Sequence, residues 1–408
     1  MSAILAPLVK AIDFVNDLNK EYYLLSVEEQ KELGVGGRMS AYNWGFELAV
    51  IGIMVLLFLI SYYGKTLNNK YADKIFGTLN TFLLTKLSFA KVGFSAEGKK
   101  MPYIEEQNNT WFASFATGRS SIESVIVKAH LTARHNPLAL ITQKALALFF
   151  PSLVASDVDE FISVTITPNG QFVATEEAKL SGNPAETLSK LKFITSIVNK
   201  SVMTKARDSN YFLSLTHTAE NDSLPLEYVY MSESNKLNGF TLHYAGEDFK
   251  DLLSKCSKFL QFISFTDLPE EKPITDKLWE TAQSPRCVIS LSLITSDKDL
   301  ALLEELISRI VEIYDTLTKE IQTNAPGSFI TTDVLKKAIQ LRKEELSKIV
   351  KVMQQVEREI ALEKKQEEER ERRKEMRNKL TDQELDKMEL KKKEKRERRQ
   401  RNKQKMRM

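Results

Sequence analysis

Residues Leu48–Tyr63 read LAVIGIMVLLFLISYY, sixteen positions without a charge, and the rest of the chain is arranged around them. At 1.5 Å per residue a helix of this length covers about 24 Å, close to the roughly 27 Å hydrocarbon thickness of an endoplasmic reticulum bilayer. Trp44, Gly45 and Phe46 extend the apolar character past Glu47, whose carboxylate falls within one turn of the interface and can snorkel to it. Tyr42 and Trp44 precede the run and Tyr62 and Tyr63 end it, so amphipathic rings stand at headgroup depth on both sides. The run has no charged face to turn to water, which disfavours a buried core helix and predicts a transmembrane helix over 44–64. Its expected span residues are Leu48, Val50, Ile51, Ile53, Val55, Leu56, Leu57, Phe58, Leu59 and Ile60, with the lipid bilayer as their partner.

The flanks predict orientation. Lys65, Lys70 and Lys74 follow the run, whereas Glu28, Glu29, Glu32 and Glu47 outweigh Lys31 and Arg38 before it, so the C-terminal side is expected in the cytosol. The start, MSAILAPLVKAIDFVNDL, has no basic opening and no continuous apolar core. No cleavable signal peptide is therefore expected, and 1–43 reads as a short luminal segment in which Val9, Ile12, Phe14, Val15 and Leu18 line one face of a small helix.

With 408 residues and 42% apolar positions the chain can bury a real core, which excludes disorder throughout. The net charge of +3 conceals an asymmetry. From Thr331 to Met408 basic side chains exceed acidic ones by roughly ten, so the tail rather than the body suits a polyanionic partner. Cys256 and Cys287 are the two cysteines and neither has a neighbour of its kind, which supports neither disulfide stapling nor a thiolate metal site.

Downstream of the span, Ala72, Ile75, Phe76, Leu79, Phe82 and Leu83 fall at helical spacing within 66–87, a helix leaving the bilayer. Strand-like runs follow at 111–117, 124–131, 161–167, 211–216 and 287–294, separated by apolar-periodic stretches at 138–153, 186–198 and 249–262. This alternation predicts a cytosolic α/β (α+β) domain over 65–325. It closes with a helix carrying Leu300, Leu303, Ile307, Ile310, Tyr314, Leu317 and Ile321 in steps of three and four, capped by Ser296 or Asp297. Asn324-Ala-Pro-Gly breaks that pattern. Beyond it, 331–408 reads as a charged, basic helical hairpin: one arm over 333–378, a restart at the capping-box sequence Thr381-Asp-Gln-Glu384, then a second arm to the end. The fold class is thus a single-pass membrane protein with an N-terminal transmembrane helix, a cytosolic α/β domain and a C-terminal long helical hairpin.

The sequence contains no catalytic constellation. His130, His135, His217 and His243 are scattered and no zinc, phosphate-loop or nucleophile motif accompanies them, so no cofactor or metal is expected. Gly118-Arg119 after the 111–117 run reads as a turn followed by a charge, which turn chemistry alone explains. The feature with an electrostatic purpose is the second arm, where Lys391, Lys392, Lys393, Lys395, Arg396, Arg398, Arg399, Arg401, Lys403, Lys405 and Arg407 occupy all sides of a helix. An anionic surface fits such an arm: ribosomal RNA, or anionic lipid at about 1 kcal/mol per basic residue. A solvated single helix supported by Glu to Lys or Arg pairs is the alternative, while a coiled coil is weaker because no apolar seam continues past Val356.

The order of these parts resembles the calumin-like, coiled-coil-domain-containing protein family of the endoplasmic reticulum, whose members are subunits of the PAT complex. The resemblance rests on LISYYGKTLNNKYA after the span, WFASFATGR, LPLEYVYMSE, PRCVISLSLI ahead of a long apolar helix, and VEREIALEKKQEEERERRKEMRN continuing to KQKMRM. It implies a translocon-associated intramembrane chaperone subunit of the multipass translocon, acting with an Asterix-like small membrane protein. Its implied partners are the Sec61 translocon, the ribosome through its rRNA, and nascent multipass membrane proteins. The long acidic luminal segment of some relatives, linked to calcium buffering, has no counterpart before Tyr42, so calcium binding is not carried over. An endoplasmic reticulum membrane tether whose basic arm binds anionic lipid is the second expectation, and a membrane-anchored enzyme with a dispersed site the third.

Overall fold

A computed structural model describes residues 19–96, 98–149, 159–173, 180–325 and 328–379, together with isolated positions at Asp17, Lys393, Glu394, Glu397 and Arg398. Three short helices, α1 (Lys20–Leu24), α2 (Val27–Glu32) and α3 (Gly34–Ala41), lead into α4 (Gly45–Thr85). The predicted small helix carrying Val9, Ile12, Phe14, Val15 and Leu18 lies outside the described residues.

Helix α4 is 41 residues long and does not stop where the apolar run ends. Its character changes at Gly64. Before that position it is, Glu47 apart, apolar all round and has no buried residue; from it onward one stripe (Gly64, Asn68, Ala72, Ile75, Phe76, Leu79, Phe82, Leu83) is buried. No proline interrupts the segment, so a single hydrogen-bonded ladder carries the helix from one environment into the other.

The strands β1 (Lys91–Val92), β2 (Phe94–Ala96), β3 (Lys99–Met101), β4 (Ile104–Gln107), β5 (Trp111–Thr117) and β6 (Ile122–His130) precede helix α5 (Pro137–Phe149). Next come β7 (Phe161–Pro168), β8 (Phe172–Val173), β9 (Leu180–Ser181), α6 (Pro184–Lys190), β10 (Thr195–Asn199), α7 (Met203–Ser209), α8 (Tyr211–Ser214), β11 (His217–Ala219) and β12 (Tyr228–Ser232). The chain closes with α9 (Phe240–Ala245), α10 (Asp248–Cys256), β13 (Leu260–Thr266), α11 (Asp276–Thr281), β14 (Arg286–Ser292), α12 (Asp297–Thr323) and α13 (Thr332–Lys379).

Among the described residues a ten-stranded sheet runs in the order β1-β5-β6-β7-β14-β13-β10-β12-β11, with β4 also on β5. Neighbouring strands are antiparallel throughout. The β7–β14 ladder joins the halves, pairing Val164 with Ile289. One face is covered by the second half of α4 and by α9, α10 and α12, around Phe76, Ile162, Ile289, Phe249 and Leu306. On the β10–β14 half the opposite face is covered too, by α7, α8, α11 and the start of α13, around Phe212, Met231, Phe262, Trp279 and Ile349. Each large apolar side chain so buried contributes about 1.5–3 kcal/mol.

This double coverage explains where the sequence misleads. Residues 186–198 and 249–262 each begin as a helix and end as a strand, β10 and β13. Those strands, like β12, are buried on both faces or nearly so and show no polar alternation by which to recognise them. The expected strand at 211–216 is instead the helical turn α8. Phe212 and Leu213 both enter the second core cluster, and the Tyr211 amide donates to the Glu270 carbonyl at 2.7 Å. Helix α12 follows its predicted stripe and ends on Asn324 in the left-handed region, φ 46°. Of the predicted hairpin, the first arm is α13. The restart at Thr381 and almost all of the second arm lie outside the described residues.

Candidate membrane anchor and projecting arm

The predicted span residues Leu48, Val50, Ile51, Ile53, Val55, Leu56, Phe58, Leu59 and Ile60 are all exposed, and Leu57 is half-covered. The apolar window of α4 has no residue buried by the rest of the chain. Residues 45–63 span about 28 Å as a helix, the thickness of a bilayer core. At the far end Trp44 stacks edgewise on Tyr42 at 5.0 Å and donates its indole N–H to the Met39 carbonyl at 2.8 Å. Glu47 accepts a hydrogen bond from the Tyr42 hydroxyl, which engages the one carboxylate near the apolar run.

At the near end the helix is clamped to the domain. The Asn68 amide, fully buried, donates to the carbonyls of Asn109 at 2.8 Å and Thr132 at 2.9 Å, and its oxygen accepts from Arg134 at 2.8 Å. Arg134 forks onto Glu160 at 2.6 and 2.9 Å and lies over the Tyr71 ring at 5.4 Å. Burial pushes the Glu160 carboxyl up, but the Thr132 amide and Arg134 outweigh it and the group stays ionised more readily than usual. Arg119, just after the predicted turn, bonds the Leu87 carbonyl beyond the end of α4 at 2.6 Å and pairs with Asp315 of α12. Helix α5 also packs against α4.

The second candidate surface is built on α13. Arg342, 8% exposed, donates through Nε to Asp267 at 2.8 Å, through Nη1 to Glu233 at 3.0 Å, and through Nη2 to the second Asp267 oxygen. Burial opposes the Arg342 charge, yet the two carboxylates more than compensate and push its pKa up. Burial pushes the Glu233 carboxyl up to about 7 against the attraction of Arg342. Tyr211 donates to Glu345 at 2.8 Å, and Ile349 completes the apolar contact. Beyond Met353 the described side chains of α13 are exposed, so the helix leaves the body as an arm of about 39 Å to Lys379.

Of the predicted anion-binding residues, Lys393 and Arg398 are exposed and helical. Lys391, Lys392, Lys395, Arg396, Arg399, Arg401, Lys403, Lys405 and Arg407 lie outside the described residues. Sequence reasoning did not pick out Asn68, Arg134, Glu160 or the Arg342 lock. A four-residue spacing of small or polar positions at Gly64, Asn68 and Ala72 was the readable sign that a chain segment approaches α4 closely. Among the described residues no group of His, Cys, Asp and Glu is placed to hold a metal ion.

A bilayer-length apolar helix with no buried residue in its apolar window, continued into an α/β body that carries a long helical arm, defines the architecture of a single-span membrane protein. A family profile for "PAT complex subunit CCDC47" matches residues 43–399, and the chain belongs to that family. It is 43% identical over 360 residues to a UPF0674 endoplasmic reticulum membrane protein of Saccharomyces cerevisiae, covering 88% of each chain. A UPF0674 endoplasmic reticulum membrane protein of Schizosaccharomyces pombe is 25% identical over 232 residues, 57% of each chain.

Proposed function

We propose that this protein is a translocon-associated subunit supporting the insertion and folding of multipass membrane proteins, held in the endoplasmic reticulum membrane by α4. Residues 1–43 lie in the lumen and the α/β domain and arm in the cytosol. Its mechanism is scaffolding, with no bond chemistry: the clamp at Asn68 and Arg134 sets the height of the domain above the bilayer, and α13 carries the basic C-terminal segment toward the ribosome and Sec61. An Asterix-like small membrane protein would pair with the uncovered span, and together they would shield nascent segments with exposed polar groups.

The observation that carries this reading is the Arg342 lock. It fixes the base of α13, whose continuation in sequence is strongly basic, so the fold sets the direction in which the described arm leaves the body. Co-sedimentation of the full-length protein with ribosomes across a salt series tests it. Deleting 381–408 is expected to lower the pelleted fraction and flatten its salt dependence. An unchanged pellet would reject the ribosome-facing role, and loss of binding to anionic liposomes with ribosome binding intact would favour a lipid tether. For orientation, Asn108 and Asn221 are exposed sequon acceptors and are expected to remain unglycosylated in microsomes.

A further inference from the structure

The helix α5, PLALITQKALALF, is, among the described residues, a second apolar helix with no buried residue. Its half-covered residues are Pro137 and Ala139 in the first turn and Leu140, Gln143 and Ala147, the last three on one face by their spacing. On a soluble helix the opposite face would be polar. Here the exposed residues away from that face include Leu138, Ile141, Leu148 and Phe149, which are 60, 65, 83 and 77% exposed. Lys144 is the only charged residue in the helix, and its stem is long enough to snorkel.

Position decides what meets that face. The Arg134 carbonyl abuts Gly64, the point at which α4 passes from its uncovered part into the domain. Asn136 accepts from the Ala139 amide at 3.1 Å and Pro137 occupies the first turn, so α5 starts at the level where the span ends. It then packs against α4. On α4, Leu57 and Ser61 are half-covered while Phe58, Leu59, Tyr62 and Tyr63 are exposed. Leu57, Ser61 and Gly64 form one face, so the covered stripe climbs about 10 Å from the domain into the apolar run. A helix of 13 residues is about 20 Å long, too short to cross a bilayer and suited to one leaflet.

We propose that α5 is a second membrane-inserted element, half-buried in the leaflet next to the domain, with Leu138, Ile141, Leu148 and Phe149 in contact with lipid chains. The span and α5 then form a two-point attachment that restrains the domain from tilting and rotating about α4. The inference rests on α4 being the membrane anchor and is independent of the ribosome-facing role.

The test uses the full-length protein in vesicles of phosphatidylcholine and phosphatidylserine, spin-labelled at one introduced cysteine: Leu148→Cys, Ile53→Cys on the span, or Val352→Cys on exposed α13. Native Cys256 and Cys287 are buried, and burial raises both thiols, the first to about 12, so they do not compete for label. The ratio of collisions with oxygen to collisions with a water-soluble nickel chelate is expected to be several-fold higher at Leu148 than at Val352, and to resemble that at Ile53. A water-like ratio at Leu148 with a lipid-like one at Ile53 would overturn the inference and leave the anchor standing. Exclusion of both reagents at Leu148 would also overturn it, because a second copy of the chain would then cover the face. A water-like ratio at Ile53 would remove the anchor and this inference together.

Discussion

The carbonyl oxygen of Arg134 lies where a side chain on Gly64 would have to go: a Cβ built there stands 2.1 Å from it and 2.9 Å from the His135 nitrogen. Backbone is therefore pressed on backbone at the point where the membrane helix becomes a domain helix. The loop after β6 is consequently held against α4 at the position where the apolar run of that helix ends.

Gly64→Val should force the loop off the helix and cost about 1–3 kcal/mol, read as a lower thermal midpoint of the detergent-solubilised protein. Gly77→Ala, on the same helix with nothing within 4 Å of the added carbon, is expected to stabilise by about 0.5–1 kcal/mol. Equal midpoints for the two variants would mean that the close approach at Gly64 does not exist in solution.

Asn68 should behave as the hub of the clamp. Asn68→Ala leaves two carbonyls and one side of the Arg134 guanidinium without their partner inside the protein. A loss of about 3 kcal/mol is expected, with new protease sensitivity near 109 and 132. Asn68→Asp keeps the acceptor for Arg134 but cannot donate, so it should not restore the fold; full rescue by Asp would show that the carbonyl bonds are unimportant.

Arg342→Met should release α13, because Asp267 and Glu233 would be left buried without their cation, at a cost of about 3–5 kcal/mol. Hydrogen exchange over 332–353 would rise while the sheet stayed protected. Adding Asp267→Asn and Glu233→Gln to the same chain removes the stranded charges and should recover most of the loss. A single variant with unchanged exchange would show that apolar contacts around Ile349 hold the arm by themselves.

The pH dependence of docking follows from Glu233. Its pKa is about 7 in the folded state against an ordinary 4.5, so the folded protein binds the proton more tightly than the unfolded one. Its contribution is fully present below pH 4.5 and is lost as the pH rises through 7. The thermal midpoint of the native chain, relative to Glu233→Gln, is therefore expected to fall between pH 5 and 7.5. A difference that rises over that window would show that Arg342 keeps Glu233 ionised.

The span was legible because its information is local: charge is absent from Leu48 to Tyr63 whatever surrounds it, and the length alone matches a bilayer. The stripes of α12 and of the second half of α4 were legible for the same reason, each having one wet and one dry face. Strands β10, β12 and β13 were not, since burial on both sides erases the alternation that marks a strand. Nor was the fact that α5, legible as an apolar helix, keeps Leu138, Ile141, Leu148 and Phe149 exposed, because that depends on what the rest of the chain places beside it.

By itself, then, the sequence determined that a bilayer-length helix is joined to a mixed α/β body and a charged helical arm, since periodicity and charge act within a few residues. Only the tertiary structure decided how these parts are held in relation to one another. Arg342 meets Asp267 and Glu233 from 75 and 109 residues away, and Arg134 meets Asn68 from 66. A buried charge must find its partners wherever the fold brings them, and no local pattern records that distance.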